Sequence, residues 1–345
     1  MADVARTALT YSPPVPGISS SGDVERAAAI LRGGGLVAFP TETVYGLGAA
    51  ARSPAALARL YAVKGRPADH PVIVHLASSE DLEGWAAEVP PAATALATAF
   101  WPGPLTLVLR RGAGVPHAVT GGRETIGLRV PDPPLALALL RAFGDGIAAP
   151  SANRFGAVSP TTAAHVRESL GDDVDLILDG GPSSVGVEST IVDLSTPAAP
   201  LLLRAGGTPV EELAAVLGAV PQPDLGPARA PGMLAAHYAP RAHVELCTDG
   251  AALTARAAAL LSAGTPAVAA VLPSRTRATL PPELTVLARP RDTAAYARDL
   301  YALLRDADAR GVSTLLVVPP DAAGIGLAVR DRLARAARST GGDHA

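Results

Sequence analysis

Lys64 and Arg66 lie two residues apart in Lys64-Gly65-Arg66-Pro67. Lysine offers a compact, strongly hydrated point charge on a flexible stem; arginine offers a planar fork of donors. Together they would fan into one space and hold a triphosphate or a carboxylate, unless they form an exposed pair on a solvated turn. Lys64 is the only lysine among 29 basic residues. Arginine can replace lysine wherever only a solvated charge is needed, so a lysine kept in this background reads either as a place where arginine fails or as a chance survivor. Asn153, in Pro150-Ser151-Ala152-Asn153, is likewise the only asparagine, and Met233 is the only methionine besides Met1. Ser151 and Asn153 follow an apolar run directly, at the edge where open α/β sheets bind ligands. A turn held by Ser and Asn side chains is the alternative. Arg129 ends another apolar run and reads either as a ligand cation or as half of a structural ion pair. His75 lies in a third run, where a satisfied core histidine is the plainer alternative. Glu188-Ser189-Thr190 precedes a strand and reads equally well as turn chemistry. Tyr238, in His237-Tyr238-Ala239-Pro240, reads either as a ligand contact or as packing against a domain.

The missing motifs narrow the chemistry. No G-x-x-x-x-G-K-[ST] loop, dinucleotide fingerprint, H-x-x-x-H zinc pattern or G-x-S-x-G elbow is present. The net charge of −3 counts against a protein that mainly grips nucleic acid, though a local patch could touch RNA. Cys247 is the only cysteine, which leaves no disulfide framework and no cysteine metal cluster. The N-terminus has no basic start followed by an apolar run, and no apolar stretch reaches the length of a membrane span. A soluble, cytoplasmic setting is expected.

The elements that must position these residues alternate between strand and helix. Residues 1–20 are Ser/Pro/Gly-rich and read as an extension over the surface. A helix opens at Asp23 and stops at the Gly33–Gly35 run. Strands are expected at 36–39, 71–76, 105–109, 125–130, 147–149, 174–178, 190–194 and 201–203. A loop is expected over 41–48. A helix capped by Ser53-Pro54 runs to Val63, which places Lys64 and Arg66 on the loop after it. Helices at 134–143 and 209–217 complete a first α/β domain, 21–217, with a mixed sheet of at least seven strands. Residues 218–241 are too rich in Pro, Gly and Ala for a packed element and read as a linker. Strands at 243–247, 267–272 and 314–318 then alternate with helices at 250–263, 292–310 and 322–338. This rhythm predicts a small doubly wound α/β domain over 242–345.

Seven segments taken together are more specific. They are F-P-T-E-T-V-Y-G-L-G at 39–48, K-G-R-P at 64–67, H-P-V-I-V-H at 70–75, W-P-G-P-L-T at 101–106, L-R-V-P at 128–131, A-P-S-A-N at 149–153 and G-V-E-S-T-I-V at 186–192. Their order and content resemble the YrdC-like family. A-P-G-M…H-Y-A-P at 230–240 and the small last domain resemble its longer subgroup, the threonylcarbamoyl-AMP synthases.

The resemblance implies a large twisted sheet with a concave ligand cavity. It also implies conversion of L-threonine, bicarbonate and ATP to threonylcarbamoyl-AMP and pyrophosphate. A separate transferase complex would pass the product to the adenosine beside the anticodon of tRNA. Residue by residue, threonine would meet Thr43, His75, Arg129, the backbone at Ala149, and Ser189. The nucleotide would meet Arg66, His70, Thr125, Ser151, Ser159, Arg204 and Tyr238. Lys64, Arg66, Ser151 and Asn153 would carry the family's signature pattern. His70 departs from that pattern, which more often has asparagine there. Magnesium would accompany ATP, without a dedicated carboxylate cage. The linker carrying Tyr238 is expected to close over the cavity. Two other functions compete. The related domain of hydrogenase-maturation carbamoyltransferases comes with zinc-finger-like cysteines, which this chain lacks. A non-enzymatic RNA-binding module would need a more basic surface.

Overall fold

The computed structural model describes residues 19–196, 199–223 and 238–340. Residues 224–237 contain Met233 and His237, which lie outside the described residues, as does most of the expected N-terminal extension. Strands are β1 (Val37–Phe39), β2 (Gly46–Ala50), β3 (Ile73–His75), β4 (Leu105–Arg110), β5 (Thr125–Arg129), β6 (Ile147–Ala148), β7 (Leu176–Ile177), β8 (Thr190–Asp193), β9 (Leu201–Arg204), β10 (Gln222–Pro223), β11 (His243–Leu246), β12 (Val268–Val271), β13 (Thr285–Ala288) and β14 (Thr314–Val317). Helices are α1 (Ser21–Arg32), α2 (Pro54–Lys64), α3 (Pro91–Phe100), α4 (His117–Thr120), α5 (Pro134–Phe143), α6 (Ala163–Leu170), α7 (Val210–Leu217), α8 (Gly250–Ser262), α9 (Thr293–Ala309) and α10 (Gly326–Thr340).

The first ten strands form one sheet in the order β10-β9-β8-β4-β5-β3-β6-β2-β1-β7. It is mixed: β4 pairs antiparallel with β5, and β3 pairs parallel with β5 so that His75 stands opposite Arg129. Helices cover its two faces unequally. Leu57 and Leu60 of α2, Leu96 of α3 and Leu213 of α7 pack on Leu47, Val74, Leu107 and Leu128 of one face. On the other face, α1 and α5 cover only the end that carries Val37, Phe39 and Ile147. The middle of that face, which includes Ile73 and Ile191, is left for a cavity. The last four strands form a separate parallel sheet in the order β11-β14-β12-β13. Val268, Ala270 and Leu316 face α8, while Ala269, Val271 and Leu315 face α9 and α10. Helices on both faces explain why these strands read as continuous apolar runs.

Several expectations change. Gly46, Leu47 and Gly48, expected as loop, belong to β2, which pairs with β1. A Cβ on Gly48 would lie 2.9 Å from Ile147 and 3.0 Å from Phe39, so close side-chain approach, not loop flexibility, requires glycine there. α1 starts at Ser21, because Ser20 caps it and Asp23 closes the capping box. Ser19, within the expected extension, donates its backbone N–H to Asp179 O at 2.9 Å. The 218–241 segment is not wholly unpaired: Gln222–Pro223 adds to β9, and Ala239 bridges to Ala157. Among the described residues no helix is long and apolar enough to cross a membrane.

Candidate active site

A cavity opens on the uncovered middle of the large sheet. His75 and Arg129 reach it from the parallel ends of β3 and β5. Thr43 comes from the turn after β1. Thr41 Oγ donates to Val44 O at 2.6 Å and lies 2.8 Å from Thr43 Oγ, which fixes that turn. Arg129 donates to Thr43 Oγ at 3.0 Å and to Gly103 O at 3.2 Å, and pairs with Glu42 at 2.7 Å. The structural ion pair anticipated as the alternative is therefore present, yet Arg129 still lines the cavity. Burial, followed by the nearby Arg129 charge, pushes His75 down to about 3, so its ring is neutral. Its Nδ1 is buried without a hydrogen-bond partner.

Lys64 is not on a loop. It is the last residue of α2, is 2% exposed, and its ammonium donates to Ser151 O and Asn153 O, each at 2.5 Å. The helix extends one residue past the expected end because Gly65, at φ 63°, supplies the left-handed cap. Burial lowers the Lys64 pKa well below the lysine range, and Arg66 and Arg154 add to the effect. Asn153 donates to Arg154 O and Ala157 O at 2.7 and 2.8 Å, while its Oδ1 is buried without a partner. Arg66 donates to Pro71 O at 2.9 Å with its guanidinium 5.8 Å from the Phe155 ring.

The opposite wall starts at β8. Ser189 Oγ lies 2.7 Å from Thr106 Oγ and accepts from Arg204 at 3.0 Å. Arg204 also donates to Ser189 O at 3.0 Å. Glu188 accepts from Ser159 at 2.9 Å, from Tyr301 at 2.8 Å and from Arg332 at 2.8 Å. Burial alone would raise the Glu188 pKa. The charges of Arg332 and Arg204 outweigh it and hold the carboxylate at about 2. Tyr238, buried at φ 64°, completes the wall with its ring 5.5 Å from that of Tyr301. Lys64, Arg66, Arg129 and Arg204 thus face the cavity against one carboxylate, Glu188, among the described residues that line it. In a chain of net charge −3 this concentrates positive potential where an anion would bind.

Three residues assigned from sequence do not line the cavity. Thr125 pairs with Arg110 at the start of β5, four residues or about 13 Å of strand from Arg129. Ser159 is fully buried behind Glu188. His70 packs against Phe155 with the rings tilted and their centroids 5.6 Å apart, so Phe155 takes the wall position. Ala149, Ser151 and the remaining assigned residues do line it. Sequence reasoning missed Phe155 and Val44 and left Glu188 open between a site residue and turn chemistry. The signal for Val44 was present in its own motif; none marked Phe155. Among the described residues, no three of His, Cys, Asp and Glu come together as metal ligands.

A family model described as telomere recombination matches residues 29–206, and one described as the C-terminal domain of threonylcarbamoyl-AMP synthase matches 208–338. The threonylcarbamoyl-AMP synthase of Pyrococcus abyssi is 43% identical over 90% of this chain and 92% of its own. The chain belongs to the threonylcarbamoyl-AMP synthase family. A Bacillus subtilis synthase of the family is 38% identical over 91% of this chain and 92% of its own. The crystal structure of Pyrococcus abyssi Sua5 complexed with L-threonine superposes with a TM-score of 0.86 at 40% identity, covering 93% of this chain and 96% of that one. The family makes this chain an enzyme of the nucleotidyltransferase type, and the synthase fold of a large mixed sheet with a small parallel one is the fold observed.

Proposed function

We propose that the enzyme joins L-threonine, bicarbonate and ATP into threonylcarbamoyl-AMP and pyrophosphate. The observation that carries this reading is the cavity lined by four basic side chains, Lys64, Arg66, Arg129 and Arg204, in a chain so similar to named synthases. The threonine amine and bicarbonate form a carbamate with loss of water. A carbamate oxygen then attacks the α-phosphorus of ATP, and pyrophosphate leaves. This chemistry needs no covalent attachment to the protein, which has to position groups and neutralise charge.

Threonine is assigned to the pocket of Thr43, neutral His75, Arg129, the backbone at Ala149, and Ser189. Arg66, Ser151, Arg204 and Tyr238 are assigned to the nucleotide. Lys64 and Asn153 shape the loop between them. Thr125 and Ser159, which do not line the cavity, would act on the nucleotide through neighbours, and His70 through Phe155. Magnesium would arrive on the triphosphate. The labile product would pass to a tRNA threonylcarbamoyl transferase complex, with at most weak RNA contact by this chain, in a cytoplasmic setting. Residues 1–20 serve as an extension, 21–217 as the catalytic domain, 218–241 as the linker that brings Tyr238 to the cavity, and 242–345 as the small domain.

Pyrophosphate release from ATP tests the reading. It should require both threonine and bicarbonate. Serine, which lacks only a methyl group, should be a weaker substrate. Equal release with threonine, valine and alanine would remove it, because a site that bonds a hydroxyl rejects analogues without one.

A further inference from the structure

Glu188 is the single carboxylate among the described residues that line the cavity, and besides Ser159 its partners come from helices packed on the other sheet. Arg332 of α10 is 0% exposed and is the largest fully buried side chain among the described residues. Its Nε donates to Glu188 at 2.8 Å, its Nη1 to Asp331 at 2.7 Å, and its guanidinium lies 5.5 Å from the Tyr238 ring. Tyr301 of α9 donates to both Glu188 oxygens, at 2.8 and 2.9 Å. The apolar contact around this pair is continuous. Val44, Val158 and Val187 of the first sheet's loops pack in one cluster with Tyr296, Leu300 and Leu333. Val44 itself lines the cavity.

We propose that Arg332 is a positioning residue of the cavity: by pairing with Glu188 it cancels the one carboxylate on a wall built for an anion, and so makes nucleotide binding on the large sheet depend on docking of the small one. The inference rests on the proposed reading of the cavity as a nucleotide site. Without Arg332, a desolvated carboxylate would face the phosphates in a low-dielectric setting, where like charges repel strongly. Arg204 would remain beside it, but Arg204 is already engaged with Ser189. Removing one partner of a buried pair leaves the other uncompensated; removing both need not be costly. ATP carries several negative charges and threonine is a zwitterion without net charge. The loss should therefore fall on ATP.

The test is titration calorimetry of the full chain with ATP and, separately, with L-threonine. Arg332→Met is expected to weaken ATP about tenfold or more, as close buried charges do, and to leave threonine within about threefold. Arg332→Met with Glu188→Gln should bring ATP back to within about threefold of wild type. Recovery on removing a second group is not what a packing defect gives. Unchanged ATP affinity in Arg332→Met, or equal weakening of both ligands without recovery in the double variant, overturns the proposal. Should Arg332→Met not fold, Tyr301→Phe decides: it keeps the ring and removes one donor from Glu188. ATP weakened about threefold with threonine unchanged supports the proposal; unchanged ATP overturns it. A wild type that binds ATP but releases no pyrophosphate with threonine removes the proposed reaction and leaves this inference standing, since its readout is binding alone.

Discussion

The ammonium of Lys64 ties the end of α2 to the loop after β6, through the carbonyls of Ser151 and Asn153. A compact charge on a single stem fits between two carbonyls; a planar guanidinium is wider and needs acceptors in its own plane. The same residue shapes the Ser-x-Asn loop from behind and faces the cavity. Lys64→Ala should therefore do two things. It should lower the thermal midpoint, because the buried Asn153 carbonyl left without a donor costs about 1–3 kcal/mol, while Ser151 O keeps the backbone N–H of Asn153. It should lower the synthase rate about a hundredfold or more, the order of one lost electrostatic contact. Lys64→Arg should restore neither fully. Thermal melts beside threonine-dependent pyrophosphate release check both, and wild-type values for Lys64→Arg would sink the argument. The rarity of lysine and asparagine pointed to this loop before any fold was known. It did not show that Lys64 is buried, because the Gly65 cap had to be seen to extend α2. Glu188 was less legible: its partners Tyr301 and Arg332 lie 113 and 144 residues away, and no local pattern records such distances.

At the scale of elements, caps and apolar runs carried the most information. Ser53-Pro54 starts α2 as expected, and the Ser53 side chain accepts from Ala56 N. β3, β5 and β8 stand where their apolar runs are, and each delivers a site residue at or beside its end. β2 was not legible, because Gly46-Leu47-Gly48-Ala49-Ala50 has the small residues of a loop. Those residues serve the close approach of Phe39 and Ile147 instead. The loop before β8 holds a second such glycine. Gly186 sits at φ 80°, and a Cβ there would lie 2.4 Å from Arg298 Cα and 2.5 Å from Arg298 O of α9. Backbone meets backbone at this point, so neither side can yield by rotating a side chain. Gly186→Ala should cost well over about 1 kcal/mol, beyond the usual penalty for a left-handed alanine. The loss should appear at the contact between the two sheets. Faster proteolysis of α9, with the large sheet still protected, is the expected result. Unchanged proteolysis throughout would mean that the contact is looser than its geometry indicates.

The whole molecule is two sheets whose cores meet at the cavity wall. The apolar cluster of the small sheet includes Val44, Val158 and Val187 from the large one. Arg305 of α9 adds a polar contact to Glu168 of α6 at 3.1 Å and to Ser169 at 2.9 Å. This arrangement makes the second sheet part of the site and not an appendage joined by a tether. A chain ending at residue 223 keeps all ten strands of the large sheet, including β10. It loses Tyr238, Tyr301 and Arg332, and it leaves three valines and Glu188 without their cover. Two consequences separate by physics. The exposed valines lower stability and favour association, an effect of uncovered apolar area that no change at Glu188 can reverse. The uncovered carboxylate weakens ATP, an effect of charge that Glu188→Gln should partly reverse. The truncated chain should thus melt lower and bind ATP at least tenfold more weakly than the full chain, while threonine, in its proposed pocket on β3, β5 and the turn after β1, should change less. Adding Glu188→Gln should recover part of the ATP affinity and none of the melting temperature. Calorimetric titration and thermal melts of the two truncated chains against the full one decide it. Full ATP affinity in the first truncated chain would show that the small sheet contributes nothing to the site it touches.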